Sequence, residues 1–262
     1  MQARSPSSSI PTKRFKASRK LPRQRRWTYR DCLAELRRLG TRQNVDGMAR
    51  FGIRAKNVYG VSKPKMDLLA KRIGKDHHLA MQLWNSRVHD ARILAGMVDE
   101  PRFVTPAQMD HWVRDFDNWD VCDGTCCHLF AHTRFAWQKA VAWSVKCAEF
   151  QKRAGFALVA YLAVHDKRAA DRRFLKLLPT IRREACDGRN FVRKAVSWAL
   201  RQIGKRNLRL NLAAVRAAER TRKMDSASAR WIAADALREL RSEAIQRRLR
   251  LRSLKDARKN AA

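Results

Sequence analysis

The segment Phe116-Asp117-Asn118-Trp119-Asp120-Val121-Cys122-Asp123 concentrates side chains that could do chemistry. Asp117 or Asn118 is placed to cap a helix running to about His132, because a short side-chain oxygen accepts from the free N–H groups of a first turn. Trp119 and Asp123 then stand at i and i+4, one above the other on one face. An indole beside a carboxylate suits a cationic ligand: the ring offers its π face and the acid its charge. A core tryptophan next to a surface aspartate paired to an arginine has the same spacing, so the pattern leaves both open.

The same predicted helix carries Cys122, Cys126, Cys127, His128 and His132. A zinc site needs about four converging ligands. Here the cysteine pair and the histidine pair point in different directions and lie about 9 Å apart along the axis, at about 1.5 Å per residue. No metal is expected, and the thiols read as buried and reduced. Cys32, Cys147 and Cys186 are scattered, which is no disulfide framework.

Two further segments set basic residues beside aromatics. Lys152-Arg153-Ala154-Gly155-Phe156 opens one helix, and the run from Arg193 to Asn207 carries Lys194, Trp198, Arg201, Lys205 and Arg206. Helix ends bearing Arg and Lys can hold phosphates, while an aromatic lies against sugar or base. Trp198 could equally sit in a core.

The overall charge favours phosphate. The 262 residues hold 58 Lys+Arg against 24 Asp+Glu, a formal charge of +34. Ordinary solubility needs a net charge of about 2–8, and a larger surplus repels itself unless a polyanion is the habitual partner. DNA or RNA comes first and an anionic membrane surface second. The longest apolar run, Phe156 to Val164, has nine residues, whereas a membrane span needs about 20, so no span is expected, and with nucleic acid placed first no membrane partner is expected either. No apolar stretch follows the basic N-terminus, so no secretory signal is expected. Dinucleotide, Walker, zinc-protease and serine-elbow motifs are absent from the sequence, so nucleotide hydrolysis and serine chemistry have no support.

The elements that must position these residues read as helix after helix. Ala91, Leu94, Ala95 and Val98 form one apolar stripe at 3.6-residue periodicity. Ala154, Ala157, Leu158, Tyr161 and Leu162 form a second. Val192, Ala195, Val196, Ala199, Leu200 and Ile203 form a third, and Ile232, Ala233, Ala236, Leu237 and Leu240 a fourth. No segment sustains period-2 alternation, so the fold class is all-α. Thr105-Pro106 and Ser62 with Pro64 mark helix starts. Gly40, Gly74 and Gly204 follow periodic runs and are expected to take the left-handed conformation that closes a helix. The stripe at Ala154 precedes that at Ala195 by 41 residues, and Ala195 precedes Ala233 by 38. Helix pairs at about this spacing build HEAT-like superhelices, α-α solenoids with a concave groove; an irregular helix bundle is the alternative. Residues 1–26, with nine Lys/Arg and no acid, read as a disordered basic arm, although an organellar presequence has similar composition. Residues 27–245 form the globular part, and 246–262 a basic C-terminal tail.

Trp119-Asp120-Val121-Cys122-Asp123, then Lys152-Arg153-Ala154, then Val192 to Arg201 in this order resemble the AlkD-like DNA alkylation repair family, over roughly residues 30–245. The resemblance implies a HEAT-like superhelix that binds double-stranded DNA in a basic concave groove. It also implies a DNA glycosylase that excises cationic N3- and N7-alkylated purines without metal or cofactor; a repeat array of this size is expected to be monomeric, and the reduced thiols point to the cytoplasm. By motif, Asp123 matches the catalytic aspartate, and Trp119 and Trp198 match aromatics against the lesion nucleotide. Arg153 matches an arginine near the backbone, and Arg201 a DNA-contacting residue. Lys152, Lys194, Lys205 and Arg206 join the expected DNA contacts. Phe51 stands where excising relatives carry tyrosine, keeping the ring without the hydroxyl. Some branches of the superfamily bind damaged or branched DNA without excision, which is the alternative function.

Overall fold

The computed structural model describes residues 26–53 and 55–261. The expected arm 1–26 lies outside them except for Arg26. Fourteen α-helices and no strand occur among the described residues. They are α1 (Tyr29–Leu39), α2 (Arg42–Arg50), α3 (Lys63–Ile73), α4 (His77–Asn85), α5 (His89–Val98), α6 (Pro106–Arg114) and α7 (Trp119–His128), then α8 (Ala136–Ser144), α9 (Glu149–His165), α10 (Asp171–Glu184), α11 (Asn190–Gly204), α12 (Leu208–Arg222), α13 (Ala227–Leu240) and α14 (Glu243–Ala261). None is long and apolar enough to cross a membrane.

The four predicted stripes are α5, α9, α11 and α13, and apart from the half-buried Tyr161 every residue in them is buried. With α7 they pack one on the next as an inner layer, while α4, α8, α10 and α12 cover its back. This is the two-layer HEAT-like arrangement that the spacing suggests. Aromatic rings bind the layers on the outer side: Trp84 and Trp112 stack with centroids 4.0 Å apart, and Phe116, Phe130 and Trp143 continue the row. At the α8–α9 crossing, a Cβ on Gly155 would lie 2.3 Å from the Ser144 backbone nitrogen, so only glycine admits that approach.

The helix starts at Thr105 and Ser62 are found, with Thr105 accepting from the Gln108 N–H. None of the three glycines takes the helix-closing left-handed conformation; Gly74 has positive φ, at 80°, but with ψ −156°. Gly40 is extended, and its need is space: a Cβ there would meet the Tyr59 carbonyl. Gly204 remains helical against the Leu240 side chain. The basic C-terminal stretch is helical. It continues as α14, docked through buried Leu249 and through Gln246, which donates to Asn211.

Candidate active site on the inner helices

Asn118, not Asp117, caps α7; its side-chain oxygen accepts from the N–H groups of Asp120 and Val121. The helix ends at His128, earlier than predicted, and His132 belongs to a following 3-10 turn. The cap is itself held, since Asn118 donates to Asp117 and lies against His89, whose other ring nitrogen pairs with Asp120. The first turn of α7 is thereby fixed, and with it the Trp119 ring.

Trp119, Asp123 and Cys127 share one face of α7, Arg153 and Tyr161 one face of α9, and Phe191, Lys194 and Trp198 one face of α11. Arg153 grips Asp123 with two parallel hydrogen bonds, Nε to Oδ1 at 2.8 Å and Nη2 to Oδ2 at 2.6 Å. Its Nη1 donates to the Phe191 carbonyl at 2.7 Å, so the guanidinium ties all three inner helices together. Forked pairing of this kind fixes orientation as well as charge. The Arg153 side chain is 8% exposed and that of Asp123 20%. Burial raises the Asp123 pKa above its ordinary value, against the pull of Arg153. Burial works against the Arg153 charge, yet the carboxylate beside it carries the guanidinium pKa upward.

A cavity of about 520 Å³ opens beside Arg153, walled by Trp119, Arg153, Phe191 and Lys194 and by Arg50 and Phe51 from the end of α2; Asp123 reaches it only through Arg153. The Trp119 indole N–H donates to the Phe51 carbonyl at 2.9 Å, closing the loop onto the inner helices. The Phe51 ring itself is 73% exposed. A second tie comes from buried Asp90 on α5, whose carboxylate accepts from the backbone N–H groups of Tyr59, Gly60 and Val61. Sequence reasoning missed Asp90 and Phe191, and read Tyr161 only as a member of the apolar stripe on α9.

Trp198 lies on the inner face farther along, edge-on to Tyr161 at 5.4 Å between centroids. Tyr161 in turn meets the Cys127 thiol, and burial raises the pKa of both groups. Trp119 and Trp198 thus occupy different levels of one surface, with Asp123 and Arg153 on the Trp119 side. Lys194 is exposed at the cavity wall.

Four expected DNA contacts are engaged within the protein. Arg206 is corrected outright: it is 7% exposed, donates to the carbonyls of Ala163, Lys167 and Ala169, and lies over the Phe174 ring. Its charge completes a turn and is not available to a phosphate. Lys152 is also corrected, buried between Glu184 at 2.7 Å and Asp187 at 3.0 Å. Arg201 and Lys205 remain partly exposed but both pair with Glu239, and Arg201 also with Asp235.

The profile of the family described as DNA alkylation repair enzyme matches residues 32–240. The chain belongs to that family. The fold of this chain is similar to that of a solved structure described as a new family of proteins related to the HEAT-like repeat DNA glycosylases with affinity for branched DNA structures. The likeness has a TM-score of 0.69 at 18% identity and covers 82% of this chain and 96% of that one. No curated protein matches the sequence significantly. For this member of the DNA alkylation repair family, the matched span runs from α1 to the end of α13 and leaves α14 outside.

Proposed function

We propose that this chain hydrolyses the N-glycosidic bond of cationic N3- and N7-alkylated purines in duplex DNA, acting as a monomer inside the cell. The observation that carries the reading is the Asp123–Arg153 fork beside a cavity walled by Trp119. A purine alkylated at a ring nitrogen already bears positive charge and leaves without strong acid catalysis. Breaking its bond to C1′ builds oxocarbenium-like charge on the sugar, as in glycoside hydrolysis. A fixed carboxylate opposes that charge where it develops. While Arg153 holds Asp123, each carboxylate oxygen keeps a further lone pair that can accept from the attacking water. The π face of Trp119 suits the cationic base or sugar, with Trp198 serving a neighbouring nucleotide. Lys194 and Arg50, at the cavity rim, hold phosphates and set register. Arg153 acts as a positioning residue, because its three hydrogen bonds orient the acid.

The test is base release from methylated duplex DNA under single-turnover conditions. Wild type should free 3-methyladenine or 7-methylguanine, and Asp123→Asn should slow release by about 10²–10³, the scale of losing one electrostatic group aimed at a developing charge. Equal rates for the two proteins would remove Asp123 from the mechanism. A second reading, binding of damaged or branched DNA without excision, is favoured by the missing hydroxyl at Phe51 and by the description of the structural neighbour. A wild type that binds DNA tightly and frees no base decides for it.

A further inference from the structure

The outer layer carries a second basic feature that the inner site does not use. Between α10 and α12 runs a groove of about 350 Å³, floored by Leu175, Leu178 and Pro179 and rimmed by Arg182, Arg216 and Arg220. All three arginines are exposed. Arg216 and Arg220 are one turn apart on α12, about 6 Å along its axis at about 1.5 Å per residue, and Arg182 faces them from α10. The acids of these helices are occupied elsewhere: Asp171 accepts from Asn207, Glu184 holds Lys152 and Arg183, and Glu219 holds Arg241. Among the described residues none of the three arginines forms an ion pair, in a protein where most other acids already hold a cation.

Three like charges converging on one groove repel one another, and an anion seated between them relieves the repulsion. Guanidinium groups hold phosphate oxygens through two parallel N–H donors, and their planar forks suit a backbone better than a point charge would. The groove lies on the outer helices, away from the cavity beside Trp119, so one duplex seated on the inner face leaves it open.

We propose that the α10–α12 groove binds the sugar–phosphate backbone of a second DNA segment while the inner face holds the first. The protein then bridges two duplexes, or two arms where duplexes meet. The proposal rests on the DNA-directed reading above but not on excision.

The experiment uses the full chain bound at saturation to a short biotinylated duplex, with a second, fluorescent duplex titrated in. Wild type should retain the second duplex. The triple variant Arg182→Ala/Arg216→Ala/Arg220→Ala should weaken that second binding at least tenfold. Losing three phosphate contacts should also lower the slope of log affinity against log salt by about 2.7. Affinity for the first duplex and thermal stability should not change. A control variant, Lys71→Ala/Arg114→Ala/Arg134→Ala, removes equal charge from other exposed positions and should leave second binding intact. The proposal is overturned if wild type takes up one duplex only, if the control loses as much as the triple variant, or if first-duplex affinity falls in parallel. Displacement of the groove's occupant by polyglutamate but not by duplex would also overturn it, in favour of an acidic protein partner. Failure of base release with bridging intact would count against the excision reading alone.

Discussion

The inner layer uses the same device twice, with different results. Between α7 and α9, Asp123 is forked by Arg153; between α13 and α11, Glu239 and Asp235 take Arg201 and Lys205. Both join neighbouring inner helices through a carboxylate and a cation. In the first, the Arg153 side chain is 8% exposed and an indole and an open cavity adjoin the pair. In the second, Arg201 and Glu239 are each 27% exposed, and two acids share two cations. Burial of the cation separates them: the Arg153 side chain is 8% exposed against 27% for Arg201, so the first pair is expensive to break, whereas water reaches and screens Arg201 in the second. An ion pair between repeats is therefore a fastener by default, and becomes a candidate reaction centre where it is desolvated beside an aromatic wall.

The largest expected effect tests that difference in stability. Arg153→Ala leaves a buried carboxylate without its partner, which costs about 3–5 kcal/mol. Arg201→Ala breaks a screened pair and should cost about 1 kcal/mol or less. Urea denaturation at neutral pH reads both. Equal losses would mean that burial does not distinguish the two sites.

The pH dependence should run in opposite directions at the two acids. Burial raises the folded Asp123 pKa, so the folded state binds its proton more tightly than the unfolded state. Stability from this group then falls as pH rises from the ordinary aspartate value of about 3.9 through the folded value. For Glu239, burial alone would raise the pKa, but the hydrogen bonds from Lys205 and Arg201 lower it. Its contribution is present above the ordinary glutamate value of about 4.3 and is lost as pH falls through the folded value. Stability curves for Asp123→Asn and Glu239→Gln, each subtracted from wild type, should therefore slope in opposite senses. Two slopes of one sign would overturn the comparison. The proposed excision draws on the ionised acid, so its rate should rise with pH through a midpoint above about 3.9.

What the sequence made legible follows from this contrast. Periodicity identified the buried faces of α5, α9, α11 and α13, because a 3.6-residue stripe reports burial within one helix. It also put Trp119 and Asp123 on one face of α7. Periodicity cannot say which neighbour a face meets, so the partners of Asp123, 30 residues away on α9, and of Arg153 at the Phe191 carbonyl were not derivable from spacing. Arg206 misled for a related reason. It ends a basic run like a phosphate contact, but the carbonyls that hold it come from the last turn of α9 and the loop after it, some 40 residues earlier. The order of the three motifs supplied the resemblance, and with it a fold that periodicity alone left undecided between solenoid and bundle.

A smaller effect probes how the loop after α2 is closed onto the site. Trp119→Phe keeps the ring but loses the N–H bond to the Phe51 carbonyl. One hydrogen bond is worth about 1 kcal/mol net, so single-turnover excision should fall roughly fivefold. Trp119→Ala, which also removes the wall, should lose considerably more. Equal losses would show that the indole N–H, and so the loop, matters more than the ring.

The smallest effect compares a free cation with a paired one. Lys194 is exposed at the cavity wall, with no ion-pair partner among the described residues, whereas Lys205 is held by Glu239. A lysine that neutralises a phosphate releases about 0.9 of a counterion, so Lys194→Ala should lower the slope of log affinity against log salt by about 0.9. Lys205→Ala should leave the slope nearly unchanged, because its charge is already balanced inside the protein. If both variants lower it equally, the pairs between α11 and α13 open when DNA binds, and Glu239 competes with phosphate for the same cations. The comparison would then describe the free protein only, and the second ion pair would belong to the DNA-binding surface as a latch.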